Sequence, residues 1–207
     1  MSSNLHQLIT VEALCEIIGE PNPAVPLKVM DSLDEMSIAF IRQSPFLVLA
    51  TAGEDGFPDV SPKGDEAGFV AVENPKTLLI PDRKGHRLIF SLQNMLANPK
   101  IAAIFMVPGT EETLRVQGHA LLTSDPDILR RLSARGQPAL LAIRLTIEKC
   151  YFHCAKAFKR SGLWKPESWP PRQRVSFGKQ LAPRLGGGDE LARKIDDFVE
   201  AGYKENL

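Results

Sequence analysis

The sequence has few cysteines, no long apolar run and no excess of either charge. Its three cysteines, Cys15, Cys150 and Cys154, are too few for a disulfide framework. Lysine plus arginine and aspartate plus glutamate each number 25, so the net charge is zero. This balance argues against a dedicated nucleic-acid or membrane-surface binder, whose affinity depends on clustered positive charge. No segment is apolar over the length that a bilayer requires, and the first residues lack the basic start of a signal peptide. We therefore expect a cytoplasmic protein.

What the sequence does contain is an ordinary globular composition. Apolar residues make up 43% and charged residues 24% of the 207 residues, which is enough for a core without covalent cross-links. Three prolines between residues 21 and 26 mark a linker after a helix predicted over residues 4–18. The predicted organisation is a helical extension over 1–30, a main domain over 31–170, and a C-terminal arm and helix over 171–207.

Short apolar segments separated by tight turns dominate the main domain. The predicted strands cover residues 46–52, 59–63, 68–72, 77–81, 101–107, 113–122 and 140–147. The predicted helices start at Asp31 or Ser32, cover 88–97, run from Pro126 to about Ala134, and extend from Asp189 to a cap at Gly202. Connections this short do not allow parallel crossovers, so the pattern predicts a mainly β, antiparallel barrel or meander with flanking helices.

The most informative stretch is Asp82-Arg83-Lys84-Gly85-His86-Arg87, directly before the predicted 88–97 helix. Cations are disfavoured at a helix N-terminus, where the macrodipole is positive. A bound anion removes that conflict, and Gly85 allows the backbone to approach it closely. The stretch therefore indicates either a phosphate site or a solvated basic loop.

Two further groups of residues allow a functional and a structural interpretation. Ser61-Pro62-Lys63-Gly64 offers a hydroxyl, an ammonium and a close approach, or it is an ordinary turn. Cys150, His153 and Cys154 are typical of metal ligands, although buried thiols that act as small apolar groups are the simpler interpretation. The aromatic and basic residues of 158–169 either cover a planar ligand or pack on the barrel.

The order of these segments resembles the pyridoxamine 5′-phosphate oxidase-like flavoproteins. The similarity covers about residues 35–170 and runs from FLVLATAGEDGFPDVSPKG through LLIPDRKGHR and LANPK to IAAIFMVPGTEETLRVQGHALL. It is closest to the bacterial branch with SPKG and IPDRxGxR signatures and an FHCxKAxxRSxLW segment. The resemblance implies an FMN-binding split β-barrel of antiparallel Greek-key type, and a homodimer with the flavin at the subunit interface.

The resemblance also implies where the flavin lies. Phosphate and ribityl contacts map to the second strand and to the loop before the helix, and later contacts map to a following strand and to the partner's arm. The matching positions are Val60, Ser61, Lys63, Ile80, Pro81, Arg83, Lys84, Arg87, Thr113, Arg115, Arg160 and Trp164.

One departure from the family pattern bears on the substrate. Pyridoxamine phosphate oxidases carry an Arg-x-His pair near the C-terminus, and residues 171–179 contain two arginines but no histidine. This argues against vitamin B6 oxidation. We expect an FMN-dependent oxidoreductase of unknown substrate. The alternatives are a non-catalytic split barrel that holds flavin, haem or deazaflavin, and an OB-like barrel that binds nucleic acid.

Overall fold

The fold is a seven-stranded antiparallel sheet with seven α-helices in the part of the chain that the structure describes. A computed structural model describes residues 10–85 and 88–205. The strands are β1 (Phe46–Ala52), β2 (Pro58–Gly64), β3 (Ala71–Asn74), β4 (Thr77–Asp82), β5 (Lys100–Met106), β6 (Thr113–Thr123) and β7 (Leu141–His153). The helices are α1 (Val11–Ile18), α2 (Glu35–Gln43), α3 (Phe90–Ala97), α4 (Pro126–Arg131), α5 (Lys156–Ser161), α6 (Phe177–Leu181) and α7 (Asp189–Glu205).

The strand order across the sheet is β2-β1-β5-β6-β7-β4-β3, and every neighbouring pair is antiparallel. The order confirms the predicted antiparallel fold with flanking helices. Strands β2 and β4 lie near opposite ends of this order, yet the ammonium of Lys63 on β2 contacts the carboxylate of Asp82 on β4. The sheet therefore curls until its two ends meet, as a barrel requires.

The core fills the inside of this curled sheet. Each central strand turns alternate side chains inward, as period-two geometry requires. Leu47 and Leu49 of β1, Leu114 and Val116 of β6, and Phe105 of β5 are all fully buried. The opposite face of β6 carries the polar residues Arg115 and Gln117, which point away from the core.

Most predicted strands are present, but β7 is longer than expected. It continues through residues 148–153 because a β-bulge between Gln117 and Gly118 shifts its register against β6. The bulge changes which residues face inward, so the buried positions pass from Ile147 to Cys150 rather than to Lys149. A prediction from regular apolar alternation therefore ends β7 at residue 147, six residues too early.

The helices differ from expectation mainly at their ends. The structure describes only Val11–Ile18 of the first predicted helix, because residues 1–9 lie outside the described ranges. Asp34 caps α2 through the amide of Ser37, so the expected cap at Asp31 or Ser32 is wrong. Gly202 does not end α7, which continues to Glu205. A glycine costs a helix interior only about 1 kcal/mol, which the neighbouring residues offset.

The predicted C-terminal arm contains a short helix, α6, that the sequence analysis did not predict. Short helix α6 packs on α7 with Gly178 against the backbone of Ala192, where a Cβ would lie 1.8 Å from the carbonyl oxygen. Asp196 accepts hydrogen bonds from the Ser176 hydroxyl and, at 2.8 Å, from the Gly178 amide. These hydrogen bonds lower the pKa of Asp196. The three-part division of the chain remains a prediction. Within the described ranges, no helix is long and apolar enough to cross a bilayer.

The bulge at Gly118 generates the first testable prediction. A Cβ at this position would lie 1.9 Å from the carbonyl oxygen of Thr146 on the paired strand. We expect Gly118→Ala to lower the free energy of unfolding by about 3 kcal/mol or more, since backbone must move. Gly188→Ala is the matched control, because open space surrounds its added methyl group. Urea unfolding of both variants measures the difference, and equal midpoints would contradict the packing described here.

Candidate functional site

A large cavity opens where β2, β4 and the start of α3 meet. Its volume is about 1130 Å³, slightly above the roughly 300–1,000 Å³ typical of cofactor pockets. Its walls combine charged residues at the strand ends with apolar residues around α3. The lining residues are Asp59, Val60, Ser61, Pro62, Lys63, Gly64, Phe69, Pro81, Asp82, Arg83, Lys84, Gly85, Leu88, Ile89, Phe90, Ser91, Leu92, Leu140, Leu141, Phe198 and Glu205.

The charged wall is held by ion pairs that join the two ends of the sheet. Ser61 and Lys63 lie on the same face of β2, two residues apart. Lys63 pairs with Asp82, and both side chains are largely buried. The ammonium is therefore fixed at the cavity wall and its charge is compensated within the protein.

A second ion-pair group centres on Asp65, whose side chain is only 1% exposed. Arg83 donates from Nε to Oδ2 and Arg135 donates from Nη1 to Oδ1, both at 2.8 Å. Burial by itself raises the pKa of Asp65, but hydrogen bonds from the Glu66 amide and the two guanidinium groups outweigh it and hold this pKa below its ordinary value. Asp65 therefore remains ionised at neutral pH.

Arg135 reaches Asp65 from an unusual backbone conformation. Its φ is +50° and that of Gly136 is +75°, while Ala134 and Gln137 pair with each other across the turn. This is the pattern of a two-residue turn in which both central residues have positive φ. Such a conformation is uncommon for a residue other than glycine, and the bond to Asp65 fixes the arginine in it.

Lys84 and Gly85 differ from the residues before them, since Lys84 has no described ion-pair partner and the space around Gly85 is open. Lys84 is exposed and forms no ion pair within residues 10–85 and 88–205. A Cβ added to Gly85 would meet nothing within 4 Å, and its φ lies outside the left-handed region. Neither packing nor backbone conformation in the described protein therefore requires glycine at this position.

The apolar wall begins at the N-terminus of α3. Among the described residues, no side chain caps the start of this helix after Ile89, so its first amide groups lie at the cavity without a described side-chain partner. Leu88, Ile89 and Phe90 are all exposed apolar residues, and Leu140 faces them across the cavity with 60% of its surface exposed. Exposed apolar residues concentrated in one cavity are typical of a ligand site.

Helix α7 contributes residues that the sequence analysis did not assign to the site. Phe198 and Glu205 both line the cavity, and Phe198 is 80% exposed. The helix itself was predicted from Asp189, but nothing in the sequence indicated that it would face this cavity.

The structure brings six of the twelve predicted flavin contacts together at this cavity. They are Val60, Ser61, Lys63, Pro81, Arg83 and Lys84. The side chain of Ile80 is fully buried in the core, and Thr113 is 2% exposed. Arg115 lines a different cavity. Arg87 and His86 lie outside the described residues.

Two predicted contacts, Arg160 and Trp164, lie in residues 156–169 after β7, and this segment packs on the β5–β6 loop of the same chain. The indole N–H of Trp164 donates to the carbonyl oxygen of Thr110 at 2.9 Å, and its ring stacks on Phe158 at 5.6 Å. Lys159 pairs with Glu111 of the same loop. Arg160 is exposed on α5. Within one chain, the aromatic residues therefore pack on the barrel rather than over the large cavity.

The Cys150–Cys154 segment is not arranged as a metal centre. Cys150 and His153 lie on β7 rather than on a helix, and Cys154 follows the strand. Burial, followed by the nearby charges of Asp34 and Asp31, raises the pKa of the Cys150 thiol to about 11. Among the residues described, no group of three or more histidine, cysteine or acidic side chains is placed to hold a metal ion.

Comparison with known families assigns this fold. The model of a family described as pyridoxamine 5′-phosphate oxidase matches residues 33–154, which is more than half of the chain. The chain belongs to the pyridoxamine 5′-phosphate oxidase family. The match confirms the resemblance found in the sequence. It ends at residue 154, before helix α5 and the rest of the C-terminal segment. The assignment to the branch with SPKG and IPDRxGxR signatures remains a prediction.

The chain is also similar to several solved structures, all at low sequence identity. HupZ of Group A Streptococcus is 15% identical, with a TM-score of 0.48 over 58% of this chain and 93% of its own. A candidate pyridoxamine 5′-phosphate oxidase from Lactobacillus delbrueckii is 26% identical, with a TM-score of 0.46 over 59% and 95%. An FMN-binding protein from Syntrophomonas wolfei is 12% identical, with a TM-score of 0.42 over 56% and 81%. No curated protein matches the chain.

The buried carboxylate of Asp65 generates the second prediction. We expect Asp65→Asn to lower the free energy of unfolding by about 1–3 kcal/mol, because two guanidinium groups lose their charged acceptor. Since the pKa of Asp65 is lowered in the folded state, this stabilisation is fully present above about pH 4, the ordinary range of an aspartate. It is lost as the pH falls through the folded pKa. Denaturant unfolding of the wild type and the variant at neutral and acidic pH measures the change.

Asp59→Asn is the matched control for this experiment. Asp59 lies on β2 and lines the same cavity, but it forms no ion pair within the described parts of the chain. We expect this control to unfold close to the wild type at every pH. An Asp65→Asn variant as stable as the control would show that the Asp65 ion pairs contribute nothing.

Proposed function

We propose that this family member is a cytoplasmic, homodimeric FMN-dependent oxidoreductase that binds the flavin in the large cavity. The observation that carries the proposal is the division of this cavity into a cationic end and an apolar wall. The cationic end holds Lys84 and the remaining N–H groups of Arg83, beside the uncapped start of α3. The apolar wall holds Leu88, Ile89 and Phe90.

The residues present fit a flavin mononucleotide. A phosphate accepts hydrogen bonds from ammonium, guanidinium and helix N-terminal amide groups, and this cavity offers all three. The apolar side chains suit the planar ring system, which must be kept from water. Ser61 also lines the cavity, and its hydroxyl would suit a polyhydroxyl chain.

The ion pairs indicate which cations of the proposed flavin site are held by the protein and which remain for the ligand. Arg83 also donates from Nη1 to the carbonyl oxygen of Leu132 at 2.7 Å, so two of its five N–H groups are committed to the protein. The others would bind a ligand from a guanidinium that is already held in place, which reduces the ordering cost of binding. Lys84 adds an exposed charge, and Lys63 is held by Asp82.

A bound flavin would supply the transfer of a hydride or of electrons between a donor and an acceptor. The chain itself would hold the phosphate, exclude water with its apolar wall and position the ring edge. Helix α7 would narrow the cavity, because Phe198 and Glu205 line it from outside the barrel. The absence of the Arg-x-His pair favours a substrate other than a vitamin B6 phosphate.

The first test of this proposal is the spectrum of the purified full-length protein. We expect a yellow protein with flavin absorption, whose released cofactor has the mass of FMN, and bleaching on addition of NADH or NADPH under anaerobic conditions. Light scattering on the same sample reports whether a dimer carries the flavin. A haem or deazaflavin spectrum, or stoichiometric FMN that neither nicotinamide reduces, would instead favour the non-catalytic binding protein.

The second test uses the two residues that have no structural role in the described protein. We expect Lys84→Glu to weaken FMN binding by about tenfold or more, since one charge-assisted bond becomes a repulsion. Gly85→Ala should also weaken binding while leaving the unfolding midpoint unchanged, because its methyl group occupies only the space of the ligand. Fluorescence titration of FMN into deflavinated protein measures both effects.

Lys100→Glu is the control for these variants, because it reverses an exposed charge on β5, away from the cavity residues. Its FMN affinity should equal that of the wild type. Unchanged affinity in both Lys84→Glu and Gly85→Ala would place the phosphate elsewhere and overturn the proposed site.

A further inference from the structure

Helix α7 presents an aromatic ring and a carboxylate to the large cavity. Phe198 and Glu205 both line this cavity, although the family match ends at residue 154. The two residues are about two helical turns apart, so they lie on the same face of α7, roughly 10 Å from each other along its axis. Ala201 and Gly202 lie on that face between them. No large side chain of this face therefore separates the ring from the carboxylate.

The helix that packs on α7 leaves Phe198 uncovered. Contacts with α6 pass through Ala192 and Asp196, which lie one turn apart on one face of α7. Phe198 follows Asp196 by two residues, which is about 200° around the helix, so it lies on the opposite face. Its side chain is accordingly exposed. An exposed aromatic ring forgoes the free energy of burial, and a ligand in the cavity would restore it.

The barrel contributes further exposed apolar side chains to the same cavity. Ile89 and Phe90 come from the start of α3, and Leu140 precedes β7. With Phe198, they converge on one concave site from three separate parts of the chain. The cavity, at about 1130 Å³, also exceeds the roughly 300–1,000 Å³ typical of a pocket for one ligand. It therefore has room for a second small molecule beside a flavin.

The charge that α7 brings to the cavity is negative. Glu205 is the charged residue of this helix that lines the cavity, and it forms no ion pair with any residue that the structure describes. The described cations of the cavity, Lys63, Arg83 and Lys84, lie instead at the ends of β2 and β4. An unpaired carboxylate repels an anion more strongly where water is excluded. The α7 side of the cavity therefore disfavours a negatively charged ligand.

We propose that α7 forms a substrate subsite in the large cavity, and that this subsite takes a planar aromatic molecule without negative charge. The inference rests on the proposed function, in which a flavin occupies the cationic end of the cavity and the wall formed by α3. Phe198 packs on the ring of the substrate, as aromatic pairs do. Glu205 excludes rings that carry a carboxylate, sulfonate or phosphate, so part of the specificity arises from repulsion.

Equilibrium dialysis of the purified full-length protein, with the FMN content of each sample measured, tests this inference. The probes are 2-naphthol and 2-naphthoate, which share a ring system and differ in charge at neutral pH. We expect saturable binding of one 2-naphthol per chain, and binding of 2-naphthoate that is about tenfold weaker or more. Phe198→Ala should weaken 2-naphthol binding by about tenfold. Glu205→Gln should bring 2-naphthoate to within about threefold of 2-naphthol. Neither variant should lose FMN.

Tyr203→Ala and Asp197→Asn are the matched controls. They remove an exposed aromatic ring and an exposed carboxylate of α7 that do not line the cavity. Both should bind the two probes as the wild type does. An equal loss in Tyr203→Ala, unchanged binding in Phe198→Ala, or no saturable binding of 2-naphthol would overturn the inference.

The FMN measurements separate this inference from the proposed function. Loss of FMN with Phe198→Ala would overturn the inference, because Phe198 would then belong to the flavin site. FMN binding without saturable 2-naphthol binding would leave the proposed function intact and remove the subsite. Binding of 2-naphthol that depends on Phe198, in a protein that takes up no FMN, would instead support the ring subsite and contradict the proposed function.

Discussion

The buried carboxylate of Asp65 is the interaction on which the large cavity depends. Strand β2 is an edge strand and is hydrogen-bonded only to β1, so no backbone bond fixes its distance from β4. That distance is set by side chains instead. Arg83 reaches from the end of β4 to Asp65 just beyond β2, and Lys63 reaches from β2 to Asp82. Ion pairs therefore complete the barrel where backbone pairing stops.

This arrangement neutralises part of the acidic charge in and beside the cavity wall. Asp82 in the wall and Asp65 just beyond it are satisfied by Lys63, Arg83 and Arg135, whereas Asp59 and Glu205 line the cavity with no ion pair among the described residues. Lys84 and the start of α3 follow immediately along the chain and are not used in this way. Arg83 thus both ties the wall together and keeps N–H groups for a ligand, whereas Lys84 has no ion-pair partner among the described residues.

The fold could be predicted from the sequence because its strands and turns follow from local residue patterns. The strands appear in the sequence as short segments between turn residues. The bounds of Phe46–Ala52 were predicted to the residue. The family resemblance added the split barrel. The failures occur where alternation changes phase, as at the bulge near Gly118, or where helix-ending residues are tolerated, as at Gly202. In both cases tertiary packing outweighs the local preference.

The site was less predictable for a different physical reason. The sequence around residues 82–87 shows which charges are present but not where they point. The partner of Arg83 lies 18 residues earlier and its second acceptor lies 49 residues later, so its role as a structural tie is visible only in three dimensions. The same holds for α7, since nothing local connects Phe198 to a cavity formed by β2 and β4.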